Sequence, residues 1–130
     1  MPKKVMTVTV KKGSQASDRK VLSEVSTASG NVPSNPTDGV FVNRAEFVHL
    51  MFKMTNSDTN NQAIFYVQLW WWSPISEEWH IGERLKVNSS DIHTVEIQGL
   101  NRLYLQVDAI SFVGSGTPYI DCWVAAVVPV

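Results

Sequence analysis

Carboxylates, histidines and a single cysteine are the residues of this 130-residue chain that could perform acid–base, metal or nucleophilic chemistry. Glu77 and Glu78 are adjacent. Neighbouring side chains of a β-strand point to opposite faces, so these two carboxylates could not flank one glycosidic bond. Asp108 and Asp121 fall on different predicted strands, and the sequence does not determine the distance between them. No pair of carboxylates therefore predicts a glycosidase.

The histidines also lack the spacing of a reactive site. His49, His80 and His93 form no H-x-x-x-H pattern, and no cluster of cysteines accompanies them. The single Cys122 lies in the alternating sequence YIDCWVAAV, which predicts a small buried side chain. The chain has no G-x-S-x-G, P-loop or G-x-G-x-x-G motif. We therefore expect a protein that is not an enzyme and that requires no cofactor or metal.

The most informative residues are the tryptophans of residues 63–79, whose sequence is AIFYVQLWWWSPISEEW. Alternation along a strand predicts that Phe65, Val67, Leu69 and Trp71 share the core face, whereas other aromatic residues point away from the core. A small sandwich needs only one apolar face on each sheet, so we expect the second aromatic face to be covered. The predicted interface residues are Tyr66, Trp70, Trp72, Trp79, Tyr104 and Trp123.

The sequence allows three ways in which this second face could be covered. The rings could line an interface between copies of the chain, where Trp and Tyr supply large buried areas. They could instead form a platform for sugar rings, as exposed aromatic residues do on many β-sandwich lectins. They could also pack beneath the chain's own polar stretch at residues 13–39. The first and third coverings are compatible with each other.

The charge of the chain is unevenly distributed, although its net value at pH 7 is −1. Residues 1–20 contain six basic residues and one acidic residue, a net charge of +5. Residues 21–130 contain five basic and eleven acidic residues, a net charge of −6. A basic arm on an acidic body can dock on a neighbouring copy or on another acidic surface. The predicted docking residues are Lys3, Lys4, Lys11, Lys12, Arg19 and Lys20.

Two other classes of partner are not expected. The basic residues beyond residue 20 are scattered and the tryptophans lie in an acidic part of the chain, so the sequence predicts no specific nucleic-acid binding. No apolar stretch reaches the ~18 residues needed to span a bilayer. The N-terminal residues include lysines but no apolar segment typical of a signal peptide. We therefore expect that the protein is synthesised in a cytoplasm and does not associate with a membrane.

Short apolar stretches separated by turn signals predict strands as the elements that position these residues. The expected fold is all-β: an antiparallel two-sheet β-sandwich, jelly-roll-like, at residues 39–130. Residues 1–38 are expected to form an N-terminal strand, at residues 1–12, and then an extended arm. The predicted inward stripes are Val48, Leu50, Phe52 and Met54; Leu103, Leu105, Val107 and Ala109; and Ile120, Cys122, Val124 and Ala126.

Two turn signals complete the predicted fold. Pro74 is expected to interrupt a strand, which then resumes after a bulge at residues 77–88. Residues 114–116, Gly-Ser-Gly, are expected to form a hairpin turn before the last strand.

The order of these features resembles that of small β-sandwich structural proteins of tailed bacteriophages. The resemblance begins at the polar turn SDTNNQ, the strand AIFYVQLWWWS and the short insertion EEWHIG. It continues through Gly-Leu-Asn-Arg at residues 99–102, the strand LYLQVDAIS, a glycine turn and a final apolar strand. The resemblance covers residues 39–128. The phage proteins that share this pattern include capsid decoration or cement proteins and head fibres.

This resemblance implies a non-enzymatic virion protein that is assembled in the host cytoplasm. By analogy, such a protein binds the major capsid protein or another virion protein through its N-terminal arm and associates with itself, often as a trimer. Similar sandwiches also serve as carbohydrate-binding modules, so a glycan-binding tail or fibre module is the alternative. The expected function is therefore capsid decoration, with glycan binding as the second hypothesis.

Overall fold

Nine strands make up most of the residues that the structure describes. The computed structural model describes residues 3–7, 20–42, 46–55, 63–97, 100, 102–114 and 116–129. In these residues no helix is long and apolar enough to cross a membrane. The strands are β1 (Lys3–Thr7), β2 (Lys20–Val25), β3 (Val40–Phe41), β4 (Phe47–Thr55), β5 (Ile64–Ser73), β6 (Glu78–Val87), β7 (Asp91–Glu96), β8 (Arg102–Ser111) and β9 (Tyr119–Pro129).

The strands form two antiparallel sheets. Sheet A has the order β1-β9-β4-β7, and β2 pairs with β9 on the same side as β1. Sheet B has the order β3-β8-β5-β6. With β1 and β2 together in the first position, this strand order is that of a jelly roll. The predicted all-β antiparallel two-sheet sandwich is therefore confirmed.

The core lies between the two sheets and is built from the alternating stripes. Val48, Leu50 and Phe52 of β4 are buried, as are Phe65, Val67, Leu69 and Trp71 of β5. In β9 the predicted stripe of Ile120, Cys122, Val124 and Ala126 is also buried. Cys122 is fully buried, and this burial raises the pKa of its thiol far above the ordinary range. The thiol is therefore a small apolar side chain of the core, as the sequence predicts.

A bulge in β8 makes one part of the predicted core wrong. Tyr66 lies opposite Ala109, but Val67 lies opposite Val107, so Asp108 is an extra residue in β8. An extra residue reverses the alternation beyond it. The inward stripe therefore stops at Val107, and Ile110 packs against the core instead of Ala109.

Neither of the two predicted turns connects its strands in the way that the sequence predicts. Pro74 begins the turn of a β5–β6 hairpin, in which Ser73 lies opposite Glu78, so residues 78–87 run back along β5 instead of continuing it. The Glu77 amide donates to the Ser73 carbonyl over 2.8 Å and closes this turn. The predicted hairpin turn at residues 114–116 includes Ser115, which lies outside the described residues. The strands on either side of it, β8 and β9, belong to different sheets and therefore do not form a hairpin.

The N-terminal region is partly strand. Of the predicted strand at residues 1–12, residues 3–7 form β1, and the remainder lies outside the described residues. Lys3 and Lys4 belong to β1 and Lys20 begins β2. The other predicted docking residues, Lys11, Lys12 and Arg19, lie outside the described residues.

A second bulge, in β6, depends on a glycine. Gln68 lies opposite Arg84 and Trp70 lies opposite Ile81, so Gly82 and Glu83 together face one residue of β5. The Gln68 side-chain amide donates to the Gly82 carbonyl over 2.7 Å. A Cβ atom at Gly82 would collide with the indole of Trp71. The absence of a side chain at Gly82 therefore lets Trp71 enter the core.

Gly82→Ala is expected to lower the free energy of unfolding by about 1–3 kcal/mol, because Trp71 must move out of its position. Gly30→Ala is the matched control, since a Cβ atom there meets no atom within 4 Å. Urea denaturation followed by tryptophan fluorescence measures both variants. Equal midpoints for the two variants would contradict this account of Gly82.

Candidate functional site

Three rings form an aromatic cluster on the outer face of sheet B: Trp72, Trp79 and Tyr104. They lie on β5, β6 and β8, where Trp72 is directly opposite Trp79. The ring centroids of Trp72 and Trp79 are 5.6 Å apart, and those of Trp79 and Tyr104 are 6.3 Å apart. Both pairs meet edge to face, an arrangement that stabilises aromatic pairs beyond their buried area. Trp79 is therefore the centre of the cluster.

Residues 29–39, the covering segment, lie over this aromatic cluster. The Trp79 indole N–H donates to the Asn35 carbonyl over 3.0 Å, and the Tyr104 hydroxyl lies 3.5 Å from the Asn31 carbonyl. The three rings are half-buried. The chain itself thus supplies part of the cover that the aromatic face requires, as in the third covering considered from the sequence.

A chain of hydrogen bonds continues this contact along β8. The Trp70 indole N–H donates to the Gln106 Oε1 atom over 3.0 Å, and the Gln106 Nε2 atom donates to the Ser29 carbonyl over 2.8 Å. The Ser29 amide in turn donates to the Val107 carbonyl over 2.8 Å. Gln106 is buried, so its two polar atoms are used to hold the covering segment to Trp70 and β8.

The covering segment ends in a short 3-10 turn, Pro36–Asp38, that a carboxylate stabilises. The Asp38 Oδ2 atom accepts the backbone N–H groups of Ser34 and Asn35, each over 2.9 Å. Gly39 follows at a position where a Cβ atom would collide with the Trp79 ring and lie 2.8 Å from the Leu103 carbonyl oxygen. The turn therefore places both Asn35 and Gly39 against Trp79.

The turn predicts a pH dependence of stability. The hydrogen bond from Ser34, and then that from Asn35, hold the pKa of Asp38 below its ordinary value. A lowered pKa in the folded state contributes stability above the ordinary pKa of about 3.9, and this stability is lost as the pH falls through the lowered value. The denaturation midpoint of Asp38→Asn is therefore expected to fall less steeply than that of the native chain below about pH 4. Parallel pH profiles would contradict the assigned role of Asp38.

Arg84 and Asp108 form an ion pair on the same face. The Arg84 Nε atom lies 3.1 and 3.2 Å from the two carboxylate oxygens of Asp108, and its guanidinium lies 4.4 Å from the centroid of the Tyr66 ring. This ion pair is partly exposed, so its contribution to stability is modest. Its position covers one side of Tyr66.

Trp123, the sixth predicted interface residue, lies on the other sheet. Its neighbour Asp121 is buried, and its Oδ1 atom accepts the Glu24 amide over 2.8 Å and lies 2.9 Å from the Lys20 Nζ atom. The same Lys20 Nζ atom lies 5.0 Å from the Trp123 ring centroid. Burial opposes ionisation of Asp121, but the Glu24 and Lys20 contacts outweigh it and hold the pKa of this carboxyl below its ordinary value.

The predicted site residues therefore divide into two groups. Tyr66, Trp70, Trp72, Trp79 and Tyr104 share the outer face of sheet B, whereas Trp123 and Lys20 belong to sheet A. The sequence reasoning did not identify the residues that hold the cover: Ser29, Asn35, Asp38, Gly39 and Gln106. The signal that could have indicated them is Gln106, a polar residue between two apolar neighbours in a strand with aromatic partners.

One serine–histidine pair lies on the β5–β6 hairpin. The Ser76 Oγ atom is 2.7 Å from the His80 Nε2 atom, and the Glu78 carboxylate approaches this same nitrogen at 3.8 Å. In a catalytic triad the carboxylate holds the other ring nitrogen. The geometry is therefore that of a surface hydrogen bond. Within the described ranges, no group of three or more His, Cys, Asp or Glu residues could hold a metal ion.

Large apolar side chains are exposed around the aromatic cluster. Ile81 lies opposite Trp70 and is 65% exposed, Phe41 lies opposite Arg102 and is 48% exposed, and Val32 of the covering segment is 54% exposed. Ile75, in the hairpin turn, is 90% exposed. The outer face of sheet B thus combines a partly covered aromatic centre with exposed apolar residues around it, which we call the apolar rim.

Comparison of the chain with protein-family models, with curated proteins and with solved structures finds no match.

Proposed function

We propose that this chain is a non-enzymatic structural subunit of a virion, which decorates and stabilises a capsid and associates with copies of itself. The observation that carries the proposal is the apolar rim on the outer face of sheet B. Isolated exposed apolar residues are common, but several around one surface are typical of a site where another protein binds. A second copy and the capsid surface are the two partners of this function.

The chemistry of the polar groups supports an assembly role over catalysis. Asp38 and Asp121 both accept backbone N–H groups, and Arg84 pairs with Asp108. These groups hold the fold in place, whereas catalysis needs polar groups that converge on an open cleft. The division of charge between residues 1–20 and the remainder supports docking between unlike surfaces.

The proposal is tested by pelleting capsid shells. Shells of the major capsid protein encoded in the same genome are incubated with the purified chain and sedimented, and the bound chain is measured. We expect saturable binding that Ile81→Asp weakens at least about tenfold. Ile92→Asp is the matched control, because Ile92 is similarly exposed, at 60%, but lies on β7 of sheet A. Absence of the chain from the pellet would contradict capsid decoration.

Glycan binding is the alternative outcome and has less support from the contacts. A sugar platform requires open ring faces, whereas the covering segment lies over Trp79 and Tyr104, and the guanidinium of Arg84 lies over Tyr66. A glycan array distinguishes the two functions. Binding that is lost in Trp72→Ala, without binding to shells, would favour the glycan module and contradict the proposal.

A further inference from the structure

We propose that the outer face of sheet B is a binding groove for an extended, proline-containing peptide, and that the covering segment occupies this groove within its own chain. The partner is a segment of a different protein that contains a proline and presents free backbone carbonyls. Such a segment binds by displacing the covering segment. This inference concerns the covered aromatic cluster, so it does not rest on the proposed function.

The groove presents a row of hydrogen-bond donors to the backbone of its occupant. The Gln106 Nε2 atom donates to the Ser29 carbonyl over 2.8 Å, and the Trp79 indole N–H donates to the Asn35 carbonyl over 3.0 Å. Between them, the Tyr104 hydroxyl lies 3.5 Å from a third carbonyl of the segment. Every residue type has a backbone carbonyl, so these donors recognise an extended backbone and not particular side chains.

The direction of the Gln106 amide is fixed by the tryptophan beside it. The Trp70 indole N–H is only a donor, and it donates to the Gln106 Oε1 atom over 3.0 Å. The Nε2 atom of this buried side chain therefore faces the occupant of the groove. A donor that is already in place reduces the conformational entropy lost when a peptide binds.

Pro33 is the residue that the covering segment buries. It is buried, whereas the two residues on each side of it are exposed. It lies between Asn31 and Asn35, whose carbonyls face Tyr104 and Trp79. The centroids of these two rings are 6.3 Å apart. Because the segment contacts sheet B on both sides of Pro33, the aromatic cluster is the surface beneath this proline.

Two prolines, Pro33 and Pro36, keep the segment extended. The residue before a proline is restricted to extended conformations, and here these residues are Val32 and Asn35. Asn35 is extended, with φ −98° and ψ 148°, and residues 28–34 form no helix or strand. Aromatic grooves bind polyproline-type peptides in this way, through rings that contact proline and donors that contact carbonyls. The covering segment therefore indicates the chemistry of the peptide that the groove accepts.

The covering segment has the features of a part that opens locally. Apart from Pro33, residues 31–38 are exposed, including the Asp38 carboxylate that holds the turn. Segments with little buried apolar area and exposed hydrogen bonds open at a low free energy. The groove can therefore open while both sheets remain folded.

A different protein is a better source of the peptide than a second copy. In a second copy the covering segment is tethered between β2 and β3, so it must leave its own groove before it enters another. That exchange breaks and remakes the same contacts. A free segment of a different protein has no such groove to leave.

The test releases the covering segment and supplies it again as a peptide. Pro33→Asp places a charge against the aromatic cluster and is expected to detach the segment. The probe is a synthetic peptide of residues 28–37, ASGNVPSNPT, which contains no aromatic residue, so tryptophan fluorescence reports on the chain alone. We expect saturable binding to the Pro33→Asp chain. The native chain is expected to bind at least about tenfold more weakly, because its own segment competes at a high effective concentration.

Matched tryptophan variants locate the bound peptide. In the Pro33→Asp chain, Trp79→Phe removes the indole N–H and is expected to weaken binding about fivefold. Trp123→Phe is the same change on sheet A and is expected to leave binding unchanged. A peptide with its own Pro33→Asp substitution is expected to bind at least about tenfold more weakly than the native peptide.

Displacement is measured on the native chain. Excess peptide is expected to speed amide hydrogen exchange at Ser29, because this amide bonds to the Val107 carbonyl only while the covering segment is in place. Unchanged exchange in a chain that binds the peptide would overturn displacement.

A second releasing variant guards against loss of folding. Asp38→Ala removes the acceptor of the Ser34 and Asn35 amides, and thermal unfolding shows which variants remain folded. A folded Pro33→Asp or Asp38→Ala chain that does not bind the peptide would overturn the groove, as would equal binding of both peptides or binding that Trp79→Phe leaves unchanged. Association of Pro33→Asp chains with Trp79→Ala chains, when neither associates alone, would make a second copy the occupant and overturn the assigned partner.

Discussion

Replacement of Trp79 by alanine is expected to lower the free energy of unfolding by about 3 kcal/mol and to release the covering segment. The lower part of the range for an aromatic truncation applies because Trp79 is half-buried. Its ring contacts Trp72 and Tyr104, and its N–H group binds Asn35. The variant loses all three contacts at once.

Two measurements check this result. Urea denaturation gives the change in stability, and amide hydrogen exchange at Ser29 reports detachment of the covering segment, because this amide bonds to Val107. Trp79→Phe is the control that retains a ring without the N–H group, with an expected cost of about 1 kcal/mol. Unchanged exchange at Ser29 in Trp79→Ala would contradict the role of Trp79 as the anchor of the cover.

Asp121→Ala is expected to lower the free energy of unfolding by about 3 kcal/mol and to separate β2 from β9. Asp121 is buried and accepts the Glu24 amide while pairing with Lys20. Glu24 has a positive φ of 46°, a conformation that costs energy in a residue with a side chain. The lost carboxylate therefore leaves a hydrogen-bond donor, a cation and a strained residue without compensation.

A graded set of variants isolates this effect. Asp121→Asn retains an oxygen for the Glu24 amide and is expected to cost about 1–2 kcal/mol. Asp108→Ala removes the partly exposed pair with Arg84 and is expected to cost less than about 1 kcal/mol. Denaturant midpoints and amide exchange in β2 measure all three. A loss in Asp108→Ala as large as in Asp121→Ala would contradict the assignment.

Much of the fold could be predicted because strand alternation directly reflects burial. The stripes through Val48, Leu50 and Phe52 and through Ile120, Cys122 and Val124 lie in the core as predicted. Alternation fails where an extra residue enters a strand, and nothing in the sequence identifies Asp108 as that residue. Ala109 was therefore placed on the wrong face.

Connections between strands were less predictable, for a different physical reason. Glycine and proline mark a change of direction but do not say which sheet the chain enters next. Residues 114–116 therefore predicted a hairpin turn, although β8 and β9 on either side of them belong to different sheets. Pro74 predicted an interruption of one strand, although it begins the turn of a hairpin. Which strands pair with each other determines whether such a turn closes a hairpin or leads to the other sheet.

The candidate site was predicted in part. The aromatic residues of β5 could be identified because their excess over one core face is visible in the alternation. The segment that covers them could not be identified, because residues 29–39 are irregular. This segment binds Gln106 and Trp79 mainly through the backbone carbonyls of Ser29 and Asn35, and every residue type has such a carbonyl. Of the three coverings that the sequence leaves open, the chain's own segment lies over Trp79 and Tyr104, and the apolar rim remains for a partner.

Light scattering of the native chain over a wide range of concentrations in 0.15 M salt tests the proposed assembly role most directly. Capsid decoration with self-association predicts a closed oligomer of defined mass, with a trimer expected, that dissociates on dilution. A mass equal to one chain at every concentration would contradict the central claim.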